Sequence, residues 1–226
     1  GELIALNGSD GAENWRYKGL PERASIISNA SPAVEGDLVI APFSSGEVVA
    51  VRISTGQQVW SESLSNAGAS RTTSALASLT DAGRPAVDGG VAFATGHGGR
   101  TVATSVRNGE RLWSANIGSI QQPWVAGEAV FVADTNGQLA ALTRRDGKIA
   151  WTMKLPGDNA KWSGPVLAGG RLWLTSSTGQ LVSVDPGTGK VASTQDLGGG
   201  SIFIAPTVAQ GRMFVLTDKA TLIALQ

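Results

Sequence analysis

Cysteine is absent from this 226-residue chain, which closes three chemistries at once: a disulfide framework, a thiolate metal site and a thiol nucleophile. Histidine is nearly absent. His97, the only one, stands in a TGHGG stretch; with no second imidazole to share a metal, it reads as a solvent-exposed turn residue rather than a member of a Ser-His-Asp triad. An excess of either charge is missing too. Eighteen Lys and Arg balance 18 Asp and Glu, so the basic footprint of a nucleic-acid binder is not there. Long hydrophobic runs are lacking: stretches such as AVFVA at 129–133 fall far short of the roughly 20 residues that span a bilayer, and no basic segment leads into an apolar one as in a signal peptide. The chain opens GELIAL rather than with Met, so residue 1 reads as a cut end with sequence missing upstream.

What is present is turn chemistry and repetition. The chain holds 30 glycines and seven tryptophans, with 42% apolar residues, enough to bury a core. The strings GELIALNGSDGAENW, GEVVAVRISTGQQVW and GQLAALTRRDGKIAW share one layout: a glycine, an apolar run, a polar pair, a turn and a tryptophan. A second signature, Pro-x-[Val/Leu] followed by a glycine turn and an apolar strand, begins at Pro32, Pro85, Pro123, Pro165 and Pro206. At one fixed offset beyond these prolines stand Gly46, Gly99, Gly137, Gly179 and Ala220; at twice that offset beyond the first three stand Trp60, Trp113 and Trp151, and Ser193 takes that place in the fourth. The numbering of the prolines steps by similar intervals from one to the next, a period of about 40 residues that marks a repeat architecture.

Within each unit four short runs are divided by Gly, Asp-Gly, Asn-Gly or Thr-Gly, the turn chemistry of hairpins, and no run has helical length or helical periodicity. Each unit is therefore expected to be a four-stranded antiparallel meander. Its third strand is apolar or small on both faces: Val48 and Ala50 alternate with Val49 and Val51, and Leu139 and Ala141 with Ala140 and Leu142. Such a sheet must be covered on both sides, as blades are around a propeller axis. The expected fold is an all-β propeller, one domain over 1–226, with repeat units at 1–17 (partial), 32–60, 85–113, 123–151, 165–193 and 206–226 (partial). The tryptophans at the fourth-strand position, Trp15, Trp60, Trp113 and Trp151, would fill the wedge between neighbouring blades. Simple closure would duplicate a third strand, so the five to six blades are expected to belong to a larger ring that lacks its first blades, with a natural C-terminus and a truncated N-terminus.

These units resemble the quinoprotein-type (PQQ-like) propeller repeat, shared by quinone-dependent alcohol dehydrogenases and several non-enzymatic proteins. Over nearly the whole chain the closer resemblance is to the BamB family of outer-membrane assembly lipoproteins. It is carried by LASLTDAGRPAVDGGVAFATGHGGRTVATSVRNGERLWSANIGS (76–119), by VFVADTNGQLAALT (130–143) and by the ending APTVAQGRMFVLTDKATLIALQ. The resemblance implies an eight-bladed ring held at the periplasmic face of the outer membrane by an N-terminal lipid anchor that this chain does not contain. It also implies a loop between blades that docks on periplasmic domains of the barrel-inserting subunit. The positions matching that loop are Leu79, Thr80 and Asp81, with Asp134 and Asn136 in the ADTNG turn. Where the family places an arginine just before the leucine, this chain has Ala77 and Ser78, and Arg71 or Arg84 is the substitute.

The same linker stands out without the family. The stretch from Trp60 to Pro85 is more than twice as long as the matching stretch from Trp113 to Pro123, and long loops within compact repeats are usually functional or disordered. Leu76 and Leu79 in its polar, small-residue sequence either anchor a partner or pack back on the blade edge. Other motifs carry less. DPGTGKV at 185–191 lacks the glycine and the Ser or Thr of a phosphate loop, and Arg144-Arg145 reads as a solvated hairpin tip. The acidic residues are scattered over turns without calcium-loop spacing.

The sequence thus points to a non-enzymatic scaffold without a cofactor. Its partner-binding candidates are Arg71, Leu76, Leu79, Thr80, Asp81, Asp134 and Asn136, and its partners are the barrel-inserting subunit and unfolded outer-membrane clients taken by β-augmentation. A fragment of a quinone-dependent dehydrogenase and a ligand-binding sensor propeller are the alternatives.

Overall fold

A computed structural model describes residues 1–20, 31–64 and 81–226. Every regular element among them is a β-strand. The chain divides into two compact units, Gly1–Gln122 and Pro123–Gln226.

The first unit begins with a two-stranded sheet, β1 (Glu2–Leu6) and β2 (Glu13–Lys18). Two four-stranded meanders follow. One contains β3 (Ala33–Glu35), β4 (Leu38–Pro42), β5 (Glu47–Arg52) and β6 (Gln58–Ser63). The other contains β7 (Ala86–Asp88), β8 (Val91–Gly96), β9 (Arg100–Ser105) and β10 (Arg111–Ala115). In the second unit, β11 (Trp124–Ala126), β12 (Ala129–Ala133), β13 (Gln138–Thr143) and β14 (Ile149–Lys154) form one meander. A second is built from β15 (Val166–Ala168), β16 (Arg171–Thr175), β17 (Gln180–Val184) and β18 (Val191–Asp196). A three-stranded sheet of β19 (Thr207–Ala209), β20 (Arg212–Leu216) and β21 (Leu222–Leu225) ends it. All pairings are antiparallel between consecutive strands.

Each complete meander starts its first strand, an edge strand of its sheet, directly after the repeat proline, whose fixed φ and missing N–H suit the entry to such a strand. The turn from third to fourth strand is built the same way five times. The N–H groups of Asn7, Arg52, Ser105, Thr143 and Asp185 donate across the turn to the carbonyls of Ala12, Gln57, Glu110, Lys148 and Lys190, and Gly11, Gly56, Gly109, Gly147 and Gly189 donate back. The extra residue held there puts a register shift in the same place in every third-to-fourth pair, a bulge that sharpens the local twist.

Both faces of the third strands are buried. Val48, Val49, Ala50 and Val51 are each at most 1% exposed, and the two faces of β5 serve different clusters. Val48 and Ala50 pack with Ala92, Ala94 and Val102 of the next meander. Val49 and Val51 pack with Phe43 and with Leu3, Trp15 and Tyr17 of the first sheet. In the second unit Leu139 and Ala141 meet Leu172, Leu174, Val182 and Val184. Each fully buried aliphatic side chain contributes about 1.5–3 kcal/mol relative to exposure, so this stacking of sheet on sheet supplies most of the core.

Tryptophan locks the stack at the fourth strand. Trp15 Nε1 donates to the carbonyl of Ile53 (2.7 Å), Trp60 Nε1 to that of Val106 (2.8 Å) and Trp151 Nε1 to that of Pro186 (3.0 Å). Each acceptor lies in the third-to-fourth turn of the following sheet, whose glycine lies against the ring: Gly56 on Trp15, Gly109 on Trp60 and Gly189 on Trp151. The indole thus fills the wedge and satisfies a turn carbonyl in one step. Two residues past the tryptophan, a second link joins fourth strands. Tyr17 donates its hydroxyl to Gln58 (2.7 Å), and Arg111 donates Nε to Glu62 (2.9 Å). Trp124 packs at the edge of the second unit's core, Trp162 is buried within it, and Trp173 donates to the carbonyl of Ala168 (3.1 Å).

Candidate functional site

The turns between second and third strands share one geometry. The N–H groups of Phe43, Asp134, Ser176 and Thr217 donate to the carbonyls of Glu47, Gln138, Gln180 and Thr221, at 2.7–3.0 Å. The N–H of Gly46, Gly137, Gly179 and Ala220 closes the turn from the other side at 3.0–3.2 Å. The same glycine carbonyl then accepts an N–H from the place where the chain leaves the fourth strand: Leu64 to Gly46 (2.8 Å), Leu155 to Gly137 (2.9 Å) and Leu197 to Gly179 (3.0 Å). In these three sheets turn and outgoing connection are therefore one stitched edge; the Asp134–Asn136 turn lies on one of them, and the described ends of the long linker meet another.

In the first unit the edge carries the ends of the long linker. Arg71, Leu76, Leu79 and Thr80 lie outside the described residues. Leu64, just before the gap, is completely buried. Just after it, Asp81 is 0% exposed and its carbonyl accepts the N–H of His97 (2.9 Å). Ala82 donates to the carbonyl of Phe43 (3.2 Å) and bridges to Gly96, and Gly83 donates to Thr95 (2.8 Å). The linker thus returns by threading between the two meanders. His97 is half-buried rather than solvent-exposed, because the returning linker packs along its turn.

In the second unit Asp134 opens the turn. Its Oδ1 accepts the N–H groups of Asn136 (2.8 Å) and Gln138 (2.7 Å), so this carboxylate oxygen holds the loop in shape, as Asp commonly does in tight turns. Asn136 is exposed at the tip, and its carbonyl accepts the ammonium of Lys154. The arrangement is a rigid turn presenting one amide side chain.

The opposite edge of the sheets carries charged turns. Lys148 and the Thr143 hydroxyl hold the Asp146 carboxyl down to about 2, and the ammonium of Lys148 is raised in return. Asp185 is also lowered, first by the Thr188 hydroxyl and N–H and then by the N–H of Gly187 and the charge of Arg171. A groove of about 390 Å³ lies between the two meanders of the first unit, lined by Glu35, Asp37, Leu38, Arg52, Val59 and Arg107 among others. Three of its charges are engaged: Arg52 pairs with Asp37, and Glu35 accepts the N–H of Gly90 (2.7 Å). Among the described residues no three His, Asp or Glu side chains are grouped to hold a metal ion.

Two features escape a reading of motifs. The buried leucine shortly after the tryptophan, Leu64 and Leu155, ties each connection to its turn; its fixed offset from the repeat glycine was the available signal. Thr95 and Thr175, fully buried, donate their hydroxyls to the carbonyls of Gln121 and Ile204, both at 2.8 Å. Each acceptor lies just before a repeat proline, Pro123 or Pro206.

The family model described as outer membrane protein assembly factor BamB matches residues 1–153 and 152–226. The outer membrane protein assembly factor BamB of Yersinia pestis is 30% identical over 152 residues, which are 67% of this chain and 38% of that protein. The matched stretch therefore spans well under half the length of this relative. The crystal structure of BamB from Moraxella catarrhalis superposes with a TM-score of 0.89 at 20% identity, covering 99% of this chain and 66% of that one. A europium-containing methanol dehydrogenase superposes with a TM-score of 0.63 at 14% identity, covering 86% of this chain and 47% of that one. At these identities the structural likenesses speak for the fold alone.

Proposed function

Because this chain belongs to the family of the outer membrane protein assembly factor BamB, as a propeller of PQQ-like repeats, we propose that it is a scaffold without catalysis of its own, serving the assembly of β-barrel proteins at the outer membrane. The observation that carries this reading is the family match along the whole chain, 1–153 and 152–226. The proposal extends to an eight-bladed ring of which residues 1–226 are one propeller domain, and to a lipid-anchored position on the periplasmic face of the outer membrane.

The proposed mechanism is docking. The barrel-inserting subunit, through its periplasmic domains, takes up Leu76, Leu79 and Thr80, with Arg71 supplying charge. Asn136, exposed at the tip of a rigid turn, adds a polar contact. Asp81 and Asp134 act from beneath. The first is buried where the linker returns, and the second accepts two N–H groups of its own turn. Side chains offered on rigid supports lose little entropy on binding, and two leucines suit the apolar centre of a small interface. Unfolded outer-membrane clients would be engaged separately, as extended strands added to a sheet edge.

The test is calorimetric titration of isolated periplasmic domains of the barrel-inserting subunit into this chain and into a version extended to the length of its relatives. Saturable binding that falls about tenfold or more in Leu76→Ala/Leu79→Ala is expected, the loss of a hot-spot pair. Absence of binding by the extended protein refutes the reading. Titration with pyrroloquinoline quinone and calcium then tests the quinone-dependent dehydrogenase reading, which shares the fold.

A further inference from the structure

Three asparagines of the chain stand directly before glycine: Asn7, Asn108 and Asn136. Such a pair is open to attack from within, because the glycine nitrogen, unshielded by a side chain, reaches the amide carbon of the asparagine beside it. All three asparagines are exposed, so sequence and exposure do not separate them. Hydrogen bonding does.

At two of the three the glycine N–H is committed. Gly109 donates to the carbonyl of Ser105 (2.9 Å) and Gly137 to that of Asp134 (3.2 Å). To act as a nucleophile, that nitrogen must lose its proton and abandon its acceptor, at the cost of a turn hydrogen bond. At Asn7 the commitment is reversed. Among the described residues the N–H of Gly8 has no hydrogen-bond partner, and a Cβ placed there would meet nothing within 4 Å. The side-chain amide is held instead: Asn7 Oδ1 accepts both the N–H (2.9 Å) and the hydroxyl (2.8 Å) of Ser9. Two donors on that oxygen stabilise the negative charge it takes on as a nucleophile adds to Cγ. Asn108 Oδ1 accepts the N–H of Glu110 at a longer 3.2 Å.

We propose that Asn7–Gly8 is a self-modifying site, where the folded chain converts its own asparagine to aspartate and isoaspartate while Asn108 and Asn136 are spared. The Gly8 nitrogen gives its proton to a solvent base and bonds to Asn7 Cγ. The Cγ–Nδ2 bond breaks, and the leaving nitrogen takes up a proton and departs as ammonia. Water then opens the cyclic imide: cleavage of the new N–Cγ bond gives aspartate, and cleavage of the original peptide bond gives isoaspartate. The turn accepts the first product, since Asp185 stands at the equivalent place in the second unit and its Oδ1 takes the N–H groups of Gly187 (3.1 Å) and Thr188 (2.9 Å). Isoaspartate routes the main chain through the side-chain carbons. It thereby displaces the N–H and carbonyl of residue 7, which bond Ala12 and Gly11, both at 2.8 Å, and loosens the turn from which β2 and Trp15 hang.

The experiment incubates the chain in mildly alkaline buffer, folded and in urea, and follows each site by peptide mapping with fragmentation, which localises the mass gain. In urea the three sites should convert at similar rates, because all three glycine nitrogens are then alike. In the folded chain Asn7 is expected to convert about tenfold or more faster than Asn108 and Asn136, the factor that one good hydrogen bond on the glycine N–H sets. Gly8→Ala, which the turn accommodates because Gly8 has no positive φ and open space around it, should slow Asn7 severalfold. Equal rates at the three sites in the folded chain overturn the proposal, as does a fall at Asn7 on folding as large as at the other two. An unchanged Asn7 rate in Gly8→Ala refutes attack by that nitrogen.

Discussion

Gly109 and Gly11 form a matched pair that isolates the energy of the tryptophan seam. Both sit at the same place in a third-to-fourth turn, both have φ of 73°, and they differ in what surrounds them. A Cβ on Gly11 would meet nothing within 4 Å, whereas one on Gly109 would stand 2.5 Å from the Cβ and 2.6 Å from the Cγ of Trp60. Gly11→Ala therefore carries only the left-handed backbone penalty, about 1–2 kcal/mol. Gly109→Ala carries that penalty plus displacement of a buried indole, about 1–3 kcal/mol. It also puts at risk the Trp60 to Val106 hydrogen bond, about 0.5–1.5 kcal/mol. The expected totals are about 1–2 kcal/mol for the first variant and about 3–6 kcal/mol for the second. Equilibrium urea unfolding, with amide exchange at the seam as a local readout, measures both. Equal losses would refute the idea that the indole and the turn glycine lock one sheet to the next.

Three further outcomes are expected. Ala220 has φ of 57° where the other repeats have glycine; Ala220→Gly relieves the left-handed strain and, after the extra freedom of the unfolded chain is offset, stabilises by about 0.5 kcal/mol in urea unfolding. Asp146, held at about 2 against an ordinary 3.8, contributes stability that is complete above the ordinary value and lost as pH falls through the lowered one; carboxyl NMR titration should find the low midpoint, and Lys148→Met should raise it. Arg111→Met leaves the buried Glu62 without its guanidinium and should destabilise by about 1–3 kcal/mol. Adding Glu62→Met should recover part of that loss, a coupling measurable by a double-mutant cycle.

The repeat was legible because its turns are written in residue types. A proline, with its fixed φ and no N–H, suits the entry to an edge strand, and a left-handed turn asks for glycine, so Pro32 and Gly46 announce β3 and β5 at an offset that recurs along the chain. Ala220 shows how far such a rule reaches: the turn forms with the wrong residue because Thr217 and Thr221 supply the same hydrogen bonds, and the strain is held by the rest of the sheet. The site was legible only as a location. An aspartate in a stretch of serines, threonines and alanines looks like surface, yet Asp81 is buried, because its environment comes from the Phe43 and His97 turns of two separate meanders, which no local pattern encodes. Gly83 and Gly96 were hidden for a related reason. In a chain with 30 glycines, most are explained by turns; one kept by contact with a distant backbone shows itself only when Leu64 and Ile120 are seen beside it. Residues kept small by such a contact are thus the ones whose type carries the least local information, and a Cβ added to either is the direct test of that contact.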